Sequence, residues 1–304
     1  MKTFDEAETS RLLPMPELVE TLSKTIREYA AGKISCPERL VVPLKEGGVM
    51  LSMPASADDI AIHKLVNVNP RNSKEGLPTI HGQVLACDAL SGMLLFSVDG
   101  PTLTGRRTAA VSMLGISRLL AQAPRSILLI GTGKQASNHV EAIAQVFPHA
   151  QVRVRGHAAG STQAFVARHQ AAVPNLSVDD GTAHTDTDVV ITLTTSKTPV
   201  YREPARPGCL VIGVGAFTPE AAEIDALTIA GSTLYVDDPL GARHEAGDLI
   251  QAGIDWDRVK PLASALDSQP DFSQPILFKT VGCGAWDLAA CRVINAKLKQ
   301  AEPY

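Results

Sequence analysis

The sequence predicts an α/β protein of two domains, one built on a doubly wound parallel sheet and the other a mixed α+β fold. Three observations predict it. From residue 126 onward, apolar runs too short for helices alternate with segments of helical periodicity, as strands buried on both faces require. Between residues 39 and 100, β-rich runs are instead punctuated by turn residues, which suits an antiparallel or mixed sheet. At 304 residues the chain has the length of one large domain or two ordinary ones.

Taken in order, Leu18, Leu22, Ile26 and Tyr29 recur at helical spacing, and Gly32 follows as a C-terminal stop. Arg39-Leu40-Val41-Val42-Pro43 and Gln83-Val84-Leu85-Ala86-Cys87 read as strands, separated by Gly47-Gly48, Asn69-Pro70 and Ser91-Gly92. Helical periodicity returns from Arg107 to Ala121 through Val111, Leu114, Ile116, Leu119 and Leu120. The composition then shifts at Ala121-Gln122-Ala123-Pro124, which marks the domain boundary. Ser126-Ile127-Leu128-Leu129-Ile130 opens the parallel sheet, followed by a helix over about 134–147, a strand at 152–154 and a helix over about 160–172. Further strands are expected at 188–193, 209–213 and 233–237, and an amphipathic helix runs from Trp286 to about Leu298. No internal repeat or low-complexity tract interrupts this pattern.

Composition excludes several function classes. With 28 Lys+Arg against 32 Asp+Glu, the net charge of −4 gives no attraction to nucleic acid or an anionic membrane. No apolar stretch approaches the ~20 residues of a membrane helix. The opening Met1-Lys2-Thr3-Phe4-Asp5-Glu6 lacks the apolar core of a signal peptide. Five scattered cysteines without C-x-x-C spacing suit reduced thiols, so a cytoplasmic location is expected. The eight histidines (63, 81, 139, 149, 157, 169, 184 and 244) show no metal-ligand spacing, and there is no G-x-S-x-G elbow. His63 adjoins Lys64, but strand alternation turns the two to opposite faces.

The strongest motif is Gly131-Thr132-Gly133-Lys134-Gln135-Ala136, a G-x-G-x-x-A turn between an apolar strand and a helix. The first glycine permits the tight turn and the second lets backbone approach a pyrophosphate. The small third residue packs helix to strand, and amides at the helix start face the anion. This predicts a Rossmann-type dinucleotide-binding domain. Enzymes that use NAD place a carboxylate after the next strand to hold the ribose 2′-hydroxyl. Here the chain reads Val152-Arg153-Val154-Arg155-Gly156-His157, with no acid. Arg155 or His157 would attract a 2′-phosphate, so NADP(H) is the preferred cofactor and NAD(H) the alternative. Thr194, after the 188–193 strand, is a further candidate for cofactor contact, or a simple strand-end cap.

Several of these residues fall into a familiar order. Arg39, Met53-Pro54-Ala55, Lys64-Leu65-Val66-Asn67, Arg107-Thr108-Ala109-Ala110, the 131–136 loop and Phe278-Lys279-Thr280-Val281-Gly282 together resemble the ornithine cyclodeaminase/mu-crystallin family over nearly the whole chain. The resemblance implies a substrate-binding and dimerisation domain of residues 1–121 with 286–304, a Rossmann domain of 122–285, and a homodimer. It implies that Arg39, Lys64 and Arg107 hold the carboxylate of an amino or imino acid, a task that suits the planar arginine fork. Arg71 and Arg106 are competing cations. Thr108, Val214, Val281 and Gly282 lie in family-like stretches expected to contact the cofactor. Asp287 resembles an acidic position common in the family, although stabilising the start of the last helix explains it equally well.

Two departures separate activities within the family. Ornithine cyclodeaminases carry an aspartate where this chain has Ala216, and a glutamate before Met-Pro where it has Leu51. Losing both carboxylates removes the partners of a diamine's second ammonium, and the obvious general base. The chain is similar here to the ketimine reductase members. The resemblance therefore implies NAD(P)H-dependent reduction of cyclic imino acids, Δ1-pyrroline-2-carboxylate to L-proline and Δ1-piperideine-2-carboxylate to L-pipecolate, with Lys64 and Arg107 catalytic. Alternatives are an ornithine cyclodeaminase, an alanine dehydrogenase on the same scaffold, and a non-catalytic NADP-binding protein. A mere binder has no need of Lys64 and Arg107 as a carboxylate clamp.

Overall fold

Ile60, Ile62, Lys64 and Val66 turn to the buried side of one strand while His63 and Leu65 turn to solvent, the period-two pattern of a sheet covered on one face. The structure, a computed structural model, describes residues 1–181 and 186–301. His184 and the last three residues of the expected first domain, 302–304, lie outside the described residues. The chain divides into two units, Met1–Thr108 with Cys283–Tyr304, and Ala109–Gly282.

The first unit opens with β1 (Lys2–Phe4), α1 (Glu6–Leu12) and α2 (Met15–Ala30). Asp5 and Glu8 form a capping box at the start of α1. Helix α2 buries Met15, Leu18, Leu22 and Ile26. It ends as the sequence predicts: Gly32 takes a φ of +70°, and its N–H and that of Lys33 donate to the Tyr29 and Glu28 carbonyls at 3.0 and 2.9 Å. Strands β2 (Leu40–Pro43), β3 (Val49–Ser56), β4 (Ile60–Val68), β5 (Ile80–Asp88) and β6 (Leu94–Asp99) form an antiparallel meander, and β1 joins β6 in parallel.

Helix α3 (Gly100–Leu119) starts seven residues before the predicted Arg107. Gly100-Pro101 resembles a turn, yet proline suits a helix's first turn, and the Asp99 carboxylate accepts the Thr102 N–H at 2.8 Å. The units divide inside this helix. The boundary expected at 121/122 falls just past its end, because composition changes where the helix stops, whereas packing separates its two halves.

The second unit alternates as predicted. Its elements are β7 (Ser126–Ile130), α4 (Lys134–Val146), β8 (Gln151–Arg155), α5 (Ala159–His169), β9 (Leu176–Val178), β10 (Val189–Thr192), β11 (Leu210–Gly213), α6 (Ala226–Ala230), β12 (Thr233–Val236), α7 (Pro239–Glu245), α8 (Gly247–Gln251), β13 (Lys260–Pro261), α9 (Ser264–Asp267) and β14 (Ile276–Lys279). All eight strands run parallel in the order β13-β12-β14-β11-β10-β7-β8-β9. Strand order reverses between β7 and β10, the switch point at which doubly wound sheets bind ligands. Strand β14 sits in mid-sheet, although its four residues are too few to announce themselves by periodicity.

The final helix, α10 (Gly284–Ala301), belongs to the first unit and packs on α2, β3 and β4. Trp286 is fully buried, its ring edge-to-face with Tyr29 at 5.5 Å. Arg292 ties the same helix to Asp59 and Glu28.

Candidate functional site

Each unit carries one candidate site. In the first, strand alternation brings Lys64 to the covered face of β4, and α10 delivers Asp287 from its first turn. Lys64 Nζ lies 2.5 Å from Asp287 Oδ2, and Arg107 Nε donates to Asp287 Oδ1 at 3.0 Å. All three side chains are buried, Asp287 completely.

Burial drives the Lys64 ammonium down to about 8, against the pull of Asp287 and with help from the positive charges of Arg107 and Arg39. Burial opposes ionisation of Asp287 as well, yet Lys64 and then Arg107 outweigh it and hold the carboxyl below its ordinary value. Two buried cations, Lys64 and Arg107, share the one carboxylate of Asp287, which leaves positive charge for an anionic ligand. Leu51 lies on the same face of the sheet, one residue pair along from Lys64.

The competing cations are placed elsewhere. Arg106 is spent on the Leu13 carbonyl at 2.9 Å and the Ser10 hydroxyl at 3.2 Å. Arg71 pairs with Glu46 and Glu75 at the surface. His63 is exposed and shares a 2.8 Å hydrogen bond with Ser52, on the opposite face from Lys64. Thr108 is buried next to Arg107 on α3.

In the second unit, the 131–136 loop joins β7 to α4 at the switch point. Gly131 has a φ of +132°, and a side chain there would meet the Leu193 carbonyl oxygen at 2.6 Å. Gly133 is the N-cap of α4 and brings no capping side chain; a Cβ at this position would have nothing within 4 Å. Thr132 sits between these two glycines, and Ala136 is fully buried where helix meets strand. Uncapped amides at a helix start, with open space beside a glycine, fit a phosphate group. Gln135 supplies a carbonyl to His139 Nδ1 at 2.8 Å. Burial holds His139 down at about 4, so it is a neutral strut, bonded also to Ser112 at 2.9 Å.

The remaining cofactor candidates lie on loops at the C-terminal ends of the strands. At β8, Arg155 is half-buried and donates from Nε to Asp179 at 2.7 Å, while His157 is exposed. Thr194, after β10, and Val214, after β11, flank a buried carboxylate that sequence reasoning missed. Glu223 accepts the amides of Thr194, Gly215 and Ala216 at 2.5, 2.6 and 3.1 Å, and the Thr192 hydroxyl at 3.0 Å. Val281 and Gly282, after β14, donate their amides to Asp237, each at 2.9 Å. Asp248 accepts the Glu223 and Ile224 amides at 2.5 and 2.9 Å and pairs with Lys279 at 3.1 Å, both of them buried. Glu223, Asp237 and Asp248 carried no motif. Their backbone partners lie between 7 and 45 residues away, so no local spacing marks them.

Among the described residues, no cluster of His, Cys, Asp and Glu is arranged to hold a metal ion, and no helix is long and apolar enough to cross a membrane.

Comparisons with known proteins give the family and the fold. The model of the ornithine cyclodeaminase/mu-crystallin family matches residues 1–302. Delta(1)-pyrroline-2-carboxylate reductase 2 of Burkholderia ambifaria is 64% identical over 97% of this chain and 95% of its own. A Delta(1)-pyrroline-2-carboxylate/Delta(1)-piperideine-2-carboxylate reductase of Azospirillum brasilense is 62% identical over 97% and 95%. Among solved structures, the Thermococcus litoralis Delta(1)-pyrroline-2-carboxylate reductase, in complex with NADH and L-proline, superposes with a TM-score of 0.89. It covers 99% of this chain and 98% of its own, and at 24% identity it speaks to the fold.

Proposed function

We propose a reductase function for this chain, which belongs to the ornithine cyclodeaminase/mu-crystallin family. It is an oxidoreductase of the CH–NH group that uses a nicotinamide cofactor to reduce Δ1-pyrroline-2-carboxylate to L-proline, the reaction named for relatives at 64% and 62% identity. The six-membered Δ1-piperideine-2-carboxylate, reduced to L-pipecolate, is a second substrate of the same site, since one methylene changes binding by only ~1–3 kcal/mol.

One observation carries the assignment of roles: Lys64 and Arg107 are buried on a single carboxylate and keep excess positive charge. With its Nε held by Asp287, Arg107 has its terminal nitrogens available for the substrate carboxylate, and Arg39 adds a second clamp. Lys64, at about 8, is a buried acid close to neutrality. It binds the same carboxylate and protonates the ring nitrogen, since a protonated C=N is the better electrophile. Reduced nicotinamide supplies the hydride to the carbon that bears the carboxylate. Apolar Leu51 and fully buried Ala216 offer no carboxylate to a diamine, which disfavours cyclodeamination.

The cofactor phosphates would rest on the 131–136 amides, with Thr194, Val214, Val281 and Gly282 toward the nicotinamide end. NADPH is preferred over NADH. A Cβ at Gly156 would lie 2.3 Å from the Thr162 hydroxyl, so no carboxylate side chain meets the ribose there, and Arg155 supplies positive charge with exposed His157 two residues on. Five free thiols suit a reducing cytoplasm.

Initial rates with both ring sizes, each against NADH and NADPH, test the reading. Nicotinamide oxidation that requires the cyclic imine is expected, with the larger kcat/KM for NADPH. Ammonia release from L-ornithine without added cofactor would overturn it.

The enzyme is a homodimer in this proposal. Helix α10 covers one face of the six-stranded sheet, while Leu40, Pro54, Leu65 and Leu85 line the other, Leu40 at 62% and Leu65 at 40% exposure. Ser52 and His63 share that face, and a second copy is the partner proposed for its exposed leucines. Light scattering is expected to give twice the chain mass, and Leu65→Asp to give a monomer; a monomeric wild type excludes the dimer.

A further inference from the structure

We propose that Asp179 is a specificity-determining residue for the cofactor: through Arg155 it tempers the preference for a 2′-phosphate. The inference rests on the reading above that Arg155 meets the adenosine ribose.

Arg155 closes β8 beside the phosphate loop. Its carbonyl accepts the Gly131 N–H at 2.8 Å, and a Cβ on the next residue, Gly156, would lie 2.9 Å from Thr132 Cγ2. Asp179 follows β9, the neighbouring parallel strand, and its N–H donates to the Val154 carbonyl at 2.8 Å. That register puts the two side chains together. The Asp179 carboxylate is completely buried and takes Arg155 Nε at 2.7 Å, while the arginine side chain stays 36% exposed. Nε is engaged from within, so the terminal nitrogens remain for an acceptor outside.

The pair does two things at once. It fixes the guanidinium, and it cancels much of its charge. A ribose hydroxyl is neutral and scarcely registers the second effect. A 2′-phosphate carries close to two negative charges and registers it fully. An unpaired arginine would commit the site to the phosphorylated cofactor; the buried carboxylate lowers that bias and keeps NADH usable.

Asp179→Asn separates the two effects, because the amide oxygen still accepts from Nε while the negative charge is gone. Binding of NADPH and of NADH to wild type, Asp179→Asn, Arg155→Ala and the double variant is followed by nucleotide fluorescence, without turnover. Asp179→Asn is expected to raise the NADPH-to-NADH affinity ratio roughly fivefold to tenfold, the scale of removing one partly screened charge. Arg155→Ala lowers the ratio, and the double variant matches Arg155→Ala alone. A ratio that is unchanged or lower in Asp179→Asn, while Arg155→Ala still lowers it, overturns the role of Asp179 and leaves the 2′-phosphate reading standing. A ratio indifferent to Arg155→Ala overturns both. If circular dichroism shows Asp179→Asn unfolded, Asp179→Ser, which also removes the charge, is read by the same criteria.

Discussion

Asp287→Ala is expected to lower stability by about 3–5 kcal/mol, the cost of leaving buried charge without its partner, and to abolish turnover. The carboxylate is fully buried and compensates Lys64 at 2.5 Å and Arg107 at 3.0 Å. Without it, two cations face each other in a region of low dielectric, and the lysine sheds its proton to relieve them. The arginine cannot, and its fork loses the bond that orients it. Urea denaturation followed by tryptophan fluorescence, to which Trp286 on the same helix and Trp256 both contribute, measures the loss. An unchanged midpoint would mean that the cluster is solvated rather than buried.

Lys64→Met should do the opposite to stability and the same to catalysis. A buried ammonium is replaced by an apolar chain of similar length, and Asp287 keeps Arg107 as counter-ion, so the unfolding midpoint stays level or rises. Turnover should fall about a thousandfold or more, or about 4 kcal/mol of transition-state stabilisation, as the proton donor and one carboxylate contact go together. A Lys64→Met enzyme within tenfold of wild type removes Lys64 from the chemistry.

The pH profile carries the same signature. Lys64 is charged below about 8, so kcat/KM for the imine is expected to fall as pH rises through that value. The stability linkage has the other sign. The folded value lies below the ordinary 10.5, the unfolded chain binds more protons between the two, and this group's contribution to stability increases from about pH 8 to 10.5. Activity and stability moving apart over that window would be the mark of a buried, functional lysine.

Much of this was legible along the chain. The run Ser126–Ile130 followed by Gly131 and Gly133 announces strand, turn and helix, because each local choice serves one local geometry. The alternation around Lys64 places a cation on the covered face of a strand, which is unusual enough to notice. The carboxylates were the hidden part. Asp287 meets Arg107 across 180 positions of sequence, and Glu223 gathers amides from its own loop and from the one after β10. A lone acid in a sequence looks the same whether it faces water, caps a helix or compensates two buried cations.

The chain's own order of residues determined the alternation of strands and helices, the phosphate loop, and which side chains carry positive charge. These follow from periodicity, glycine's conformational freedom and residue chemistry, all local properties. Tertiary structure alone decided that Asp287 joins Lys64 and Arg107, that Arg106 and Arg71 are engaged elsewhere, and that Asp179 claims Arg155. Pairing energies depend on distance and burial, and both are set only when segments far apart in the chain are packed against each other.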